Sequence, residues 1–207
     1  MAASSDPGFL VLHALRLKGF AETGVVAALT GLDEAEASKH LDAASADGQA
    51  TRRDGRISGW ALTSDGRARH AELIRDELEV SGTRDVVEDG YRRFLELNSA
   101  LLGVCTDWQL RNGALNDHED ATYDTEIVAR LAHVDDEIQP VTDDLGDALE
   151  RFGEYGPRFR GALAKVRNGE RDWFAKPMID SYHTIWFELH EDLLVTLGIE
   201  RSKEGSA

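Results

Sequence analysis

Arg52-Arg53-Asp54-Gly55-Arg56-Ile57-Ser58-Gly59-Trp60-Ala61-Leu62-Thr63-Ser64-Asp65-Gly66 decides how the N-terminal part of this chain is read. The stretch has the pattern of a two-stranded hairpin with a basic tip, running into a helix start. Gly55 and Gly59 are expected to supply the backbone freedom that a tight or bulged ribbon requires. Ile57, Trp60 and Leu62 are the apolar groups expected to pin the ribbon to a core. Arg52, Arg53 and Arg56 sit at or beside the turn, facing solvent or a polyanion.

Outward from the hairpin, the flanking residues read as helices. Leu10, Val11, Ala14, Leu15 and Leu17 fall at helical spacings, and Gly19 fits the end of that segment. Thr23 is placed to cap a short second helix that runs over Val25–Thr30 and stops at Gly31. Asp33, with Glu36 three residues on, has the pattern of a capping box opening a third helix. Ala37, Leu41 and Ala44 share its inner face, and Gly48 ends it. After the hairpin, Thr63-Ser64-Asp65-Gly66 opens a fourth helix holding Ala68, Ala71, Leu73, Ile74 and Leu78. The order is helix, helix, helix, strand, strand, helix, which is that of a winged helix-turn-helix, whose third helix enters the major groove.

Asp54-x-Arg56 followed by Leu62-Thr63-x-x-Gly66 resembles the wing of MarR-type transcriptional regulators. In that family an aspartate and an arginine shape the wing, and its tip reaches a minor groove. The resemblance covers roughly the first 80 residues. It implies a DNA-binding domain over 1–80, with Ser38, Lys39 and His40 on the third helix and Arg52, Arg53 and Arg56 on the wing as DNA contacts. The chain departs from the family in two places. Its third helix carries Glu34, Glu36, Asp42 and Asp47 against the single Lys39, and a long C-terminal region replaces the usual short terminal helix.

Charge restricts how such a protein meets DNA. The formal net charge is -16, and residues 1–80 account for -4 of it. Within 52–69 the sign reverses, with Arg52, Arg53, Arg56, Arg67 and Arg69 against Asp54 and Asp65. A general polyanion-coating role is excluded, and any DNA contact is local and oriented. So few cations on one protomer imply a homodimer.

Ser81-Gly82-Thr83 marks the domain boundary, and 84–207 reads as an α-helical bundle for dimerisation, effector sensing or both. The expected fold class is therefore mainly α: a winged helix-turn-helix of three to four helices plus a β wing, followed by that bundle. Residues 86–104 form a thick apolar stripe. Residues 111–122 are a polar loop carrying the turn signals Asn112-Gly113 and Asn116-Asp117. Pro140 kinks the next helical run or starts a new helix. Further helices are expected over 158–167 and 177–197.

Two constellations in this region have the residue types of a ligand pocket. Asp107, Trp108 and Arg111 gather a carboxylate, an indole and a guanidinium at one helix end. Tyr182, His183, Trp186 and His190 lie on adjoining faces of the closing helix. The histidines are two turns apart, about 10.5 Å along a helix axis, too far to share one metal ion. Either these groups line a pocket or they are partnered core residues. No metal site or cofactor is expected. Enzyme signatures are missing: there is no phosphate-binding Gly-rich loop, no His-Glu-x-x-His and no Gly-x-Ser-x-Gly. Cys105, the only cysteine, excludes an intrachain disulfide. The expected partners are duplex DNA, a second copy and a small-molecule effector, and no membrane, in the cytoplasm. The alternative is a winged-helix module that binds protein or metabolite rather than DNA.

Overall fold

The computed structural model describes residues 2–200, so residues 201–207 of the expected second domain lie outside the described residues. The chain is mainly helical and divides into two compact units. One comprises Ala3–Arg84 together with Leu149–Arg151 and residues 194–200. The other comprises Asp85–Ala148 and Phe152–Leu193.

The first unit begins with α1 (Pro7–Lys18), α2 (Thr23–Thr30) and α3 (Glu34–Ala46). Asp6 caps α1, accepting from the amides of Gly8 at 2.9 Å and Phe9 at 3.2 Å. Asp33 caps α3 by accepting from the Glu36 amide at 2.8 Å, which is one of the two bonds of the expected capping box. The start of α2 differs from expectation. Glu22 occupies the cap position without a side-chain bond, and Thr23 Oγ1 instead accepts from Trp60 Nε1 at 3.2 Å. A buried indole N–H requires an acceptor, and that demand takes the hydroxyl that a helix start would otherwise use.

Strands β1 (Ala50–Arg53) and β2 (Gly59–Leu62) pair antiparallel, with Ala50 opposite Leu62, Arg52 opposite Trp60 and Arg53 opposite Gly59. Ala21 pairs with Trp60 on the other side of β2, its amide donating to the Trp60 carbonyl at 3.0 Å and its carbonyl accepting at 2.8 Å. Trp60 and Leu62 join Val11, Leu15, Val26 and Leu41 in one hydrophobic core. Ile57 does not: it is 65% exposed. It lies in the connection between the strands, where the in-out alternation that buries Trp60 and Leu62 no longer operates. The two glycines also act differently from expectation, since neither Gly55 nor Gly59 adopts a positive φ. Gly59 is needed because a Cβ there would stand 2.6 Å from the Phe20 ring.

Helix α4 (Ser64–Ser81) follows at once. Thr63 caps it through the Gly66 amide at 3.0 Å, and its hydroxyl also donates to the Gly48 carbonyl at 2.6 Å. Gly66 lies so close to β1 that a Cβ there would fall 1.9 Å from the Gln49 carbonyl oxygen. The buried face of α4 is Gly66, His70, Ile74 and Leu78, a strict i, i+4 row. Ala68 and Ala71, read as helix residues from their type, are exposed.

The second unit holds α5 (Arg84–Gln109), a miniature hairpin of β3 (Leu110–Arg111) and β4 (Ala114–Leu115), α6 (Ala121–Ala148), α7 (Tyr155–Arg167), the short α8 (Asp172–Ala175) and most of α9 (Tyr182–Leu197). The expected loop over 111–122 thus contains a hairpin. Asn112 and Gly113 both have positive φ, 52° and 82°, the backbone of a primed two-residue turn. Pro140 starts no new helix; α6 runs through it. The closing helix starts at Tyr182 rather than 177, where Ser181 accepts from the Thr184 amide at 3.3 Å through its hydroxyl. The core side of α5 presents Val87, Phe94, Leu101, Val104 and Trp108, and that of α6 presents Ile127, Leu131, Ile138, Val141 and Leu145.

Candidate functional site

The ribbon places its three arginines differently. Arg52 shares the Trp60 face: its guanidinium lies 5.7 Å from the indole centroid and its Nε donates to Asp54 Oδ1 at 3.0 Å. That ion pair is well exposed on both sides, so it contributes little to stability. Arg53, opposite Gly59, and Arg56, in the connection, are exposed and have no partner among the described residues. On α3, Lys39 is exposed, and Ser38 and His40 are half-buried. Glu34, Glu36 and Asp42 on the same helix are exposed as well. A cleft of about 450 Å³ lies against the inner side of the ribbon, with Arg52 and Arg56 contributing to its lining and Glu22 and Glu34 facing them with the opposite charge.

The residues picked out at the end of α5 are in a second, separate setting. Asp107 accepts from Arg130 Nη1 at 2.7 Å. Arg111 Nη2 donates to Asp120 Oδ2 at 2.7 Å, and its guanidinium lies over the Tyr123 ring at 4.5 Å. Asp120 also accepts from the Tyr123 and Thr122 amides; these bonds and the Arg111 charge hold its carboxyl below the usual range. Trp108 is buried, stacked parallel on Phe174 at 4.2 Å and tilted against His118 at 4.4 Å. Asp107 and Arg111 therefore have partners of their own, while Trp108 forms part of a wall.

Tyr182, His183, Trp186 and His190 lie on α9 and do not join that group. Tyr182 is fully buried, its hydroxyl donating to Asp135 Oδ1 at 3.1 Å. Trp186 Nε1 donates to Asn98 Oδ1 at 3.0 Å, and the indole stacks on Phe94 at 4.6 Å. His190 lies against Phe94 and Tyr91. His183 is half-buried, and burial pushes its pKa down. Cys105 is buried, and its thiol is pushed up to about 11 by loss of solvent, which leaves almost no thiolate at neutral pH.

Asp135 is a buried carboxyl that the sequence reading passed over. It accepts from Gln139 Nε2 and from Tyr182, both at 3.1 Å, yet burial outweighs these bonds and raises its pKa. A carboxyl raised above its unfolded value stabilises the fold below that unfolded value, and the contribution is lost as pH rises through the folded pKa. Asp135→Asn keeps an oxygen for both donors and removes the ionisation. Its Tm is expected to exceed that of the wild type at pH 7, with the difference disappearing near pH 4. Thermal melts at the two pH values decide it; a variant less stable at pH 7 would show that the carboxylate is well accommodated.

A buried polar network in the first unit was also missed. Arg151 Nε donates to Glu77 Oε2 at 2.9 Å, its Nη2 to Thr196 Oγ1 at 2.8 Å, and its Nη1 lies 3.3 Å from His13 Nε2. Ser5 donates to the other Glu77 oxygen. Because a guanidinium only donates, His13 Nε2 accepts, and the His13 proton sits on Nδ1, 3.0 Å from His70 Nε2. One arginine thus sets the tautomer of two stacked histidines, whose rings are 5.3 Å apart. The one signal in the sequence was His13, flanked by Leu12 and Ala14 inside the most apolar stretch of α1.

Among the described residues, no helix is long and apolar enough to cross a membrane, and no group of three or more His, Cys, Asp or Glu side chains is placed to hold a metal ion. Comparison with protein-family models, with curated proteins and with solved structures found no match to this chain.

Proposed function

We propose that this protein is a DNA-binding transcriptional regulator of the MarR-like winged-helix kind. In this reading β1 and β2 are the wing and α3 is the recognition helix. The acidic C-terminal helical domain dimerises the protein, senses a small molecule, or does both. The observation that carries the reading is the pair Arg53 and Arg56: exposed, without partners among the described residues, on a ribbon anchored at its base by Trp60 and Leu62. Exposed guanidinium groups on an anchored hairpin are suited to clamping phosphates. An effector bound in the helical domain would act by changing the spacing of two wings in a dimer, and so the affinity for DNA.

The lining of the ribbon cleft supports a second reading. Glu22 and Glu34 beside Arg52 and Arg56, together with the acidity of α3, suit a protein or zwitterionic partner better than a phosphate backbone. In that case the domain is an interaction module that does not bind DNA.

Binding of random duplex DNA, measured across salt concentration, separates the two. The regulator reading expects affinity that falls steeply with salt. In Arg53→Ala/Arg56→Ala the log–log slope should flatten by about one unit for each arginine and protomer. No binding at low salt would leave the interaction module as the better account.

A further inference from the structure

We propose that the trough beside Trp108, inside the second unit, binds a small organic carboxylate with an apolar body. The trough measures about 460 Å³, within the range of small-molecule sites. Val128 and Ala129 of α6 and Val166 of α7 line it with the Trp108 indole, so its walls are largely hydrocarbon.

Its charges point to an anion. Asp124 is the one acid on the lining, and its carboxylate is already engaged: Oδ1 takes Asn116 Nδ2 at 3.1 Å, and Oδ2 lies 3.0 Å from His118 Nδ1. Arg171 Nη2 donates to the His118 carbonyl at 2.9 Å and lies 3.9 Å from Asp124. Arg167 has no such claim on it. It lies in the last turn of α7, is exposed, and has no partner among the described residues. A hydrocarbon wall with one uncommitted planar guanidinium at its rim matches a carboxylate, which takes two parallel N–H bonds from such a fork. A cation would meet two arginines. A neutral ligand would leave Arg167 unused. In a chain of net charge -16, a cleft whose free charge is positive runs against the overall balance.

The trough belongs to the helical domain, so the inference deepens the sensing half of the proposed function and names its ligand class. Calorimetry on the full chain without DNA keeps failure here distinct from failure to bind DNA. Octanoate is the probe, compared with 1-octanol, octylamine and inorganic phosphate. Octanoate is expected to bind saturably and the other three to bind at least about tenfold more weakly, the contribution of a charge-assisted bond. Arg167→Ala should weaken octanoate by a similar factor, and Ala129→Trp, at an exposed position, should abolish binding by filling the trough. Equal binding of octanol or octylamine, displacement by phosphate, an unchanged Arg167→Ala, or no binding of octanoate would each overturn the assignment.

Discussion

Replacing Arg151 with alanine is expected to cost the protein about 3–5 kcal/mol. The Arg151 side chain is 3% exposed and that of Glu77 is 11% exposed. Truncating the arginine leaves the Glu77 carboxylate shielded from water, with only Ser5 hydrogen-bonded to it among the bonds described above, and removes the donor that orients His13. Urea unfolding measures the loss. Arg92→Ala is the control, since its ion pairs with Asp89 and Glu96 are exposed and are expected to contribute little. Removing both charges, as in Arg151→Met/Glu77→Leu, should restore much of the stability, because the dominant penalty is one uncompensated charge rather than a lost attraction. A double variant as unstable as Arg151→Ala would show that the hydrogen bonds to His13 and Thr196 matter more than the charge balance.

Gly66→Ala is expected to be nearly as damaging, at about 3 kcal/mol, although alanine is the better helix former. The added carbon would lie 1.9 Å from the Gln49 carbonyl oxygen, and backbone cannot swing aside as a side-chain tip can. Relief requires α4 to lift away from β1. That would break the Thr63 amide bond to Gln49 at 3.0 Å and the Thr63 hydroxyl bond to Gly48. Because Leu62 is adjacent, the ribbon loosens with the helix. Hydrogen exchange should therefore quicken at both Thr63 and Trp60. Gly55→Ala serves as the control: a Cβ there meets nothing within 4 Å, and the change should be nearly neutral. A neutral Gly66→Ala would mean that the helix start and the strand can separate at little cost.

Much of this fold was legible because local chemistry and tertiary packing agreed. Asp33, Gly31, Gly48 and the Thr63–Gly66 helix start all act where their residue types place them. Asn112-Gly113 announced a turn, though the strands around it are too short to show an alternating pattern. The failures occurred where tertiary demand overrode local preference. Thr23 was taken by an indole N–H that comes from far along the sequence. Ile57 is apolar yet sits in a connection that no core reaches. For the candidate sites, the exposed arginines of the ribbon were readable as charge in a turn. Arg167 and Asp124 were not, because nothing in their sequence neighbourhood shows that α6 and α7 bring them to one trough. The Arg151–Glu77 pair was hidden for the same reason, as its partners are 74 residues apart.

That separation bears on how the chain comes off the ribosome. The segment holding α1 to α4 is made first, yet the charge that balances Glu77 arrives with residue 151 and the hydroxyl that steadies it with residue 196. Until then Glu77 keeps its water, and the first unit closes over it only when these later residues are in place. A fragment cut after Gly82 would lack both partners.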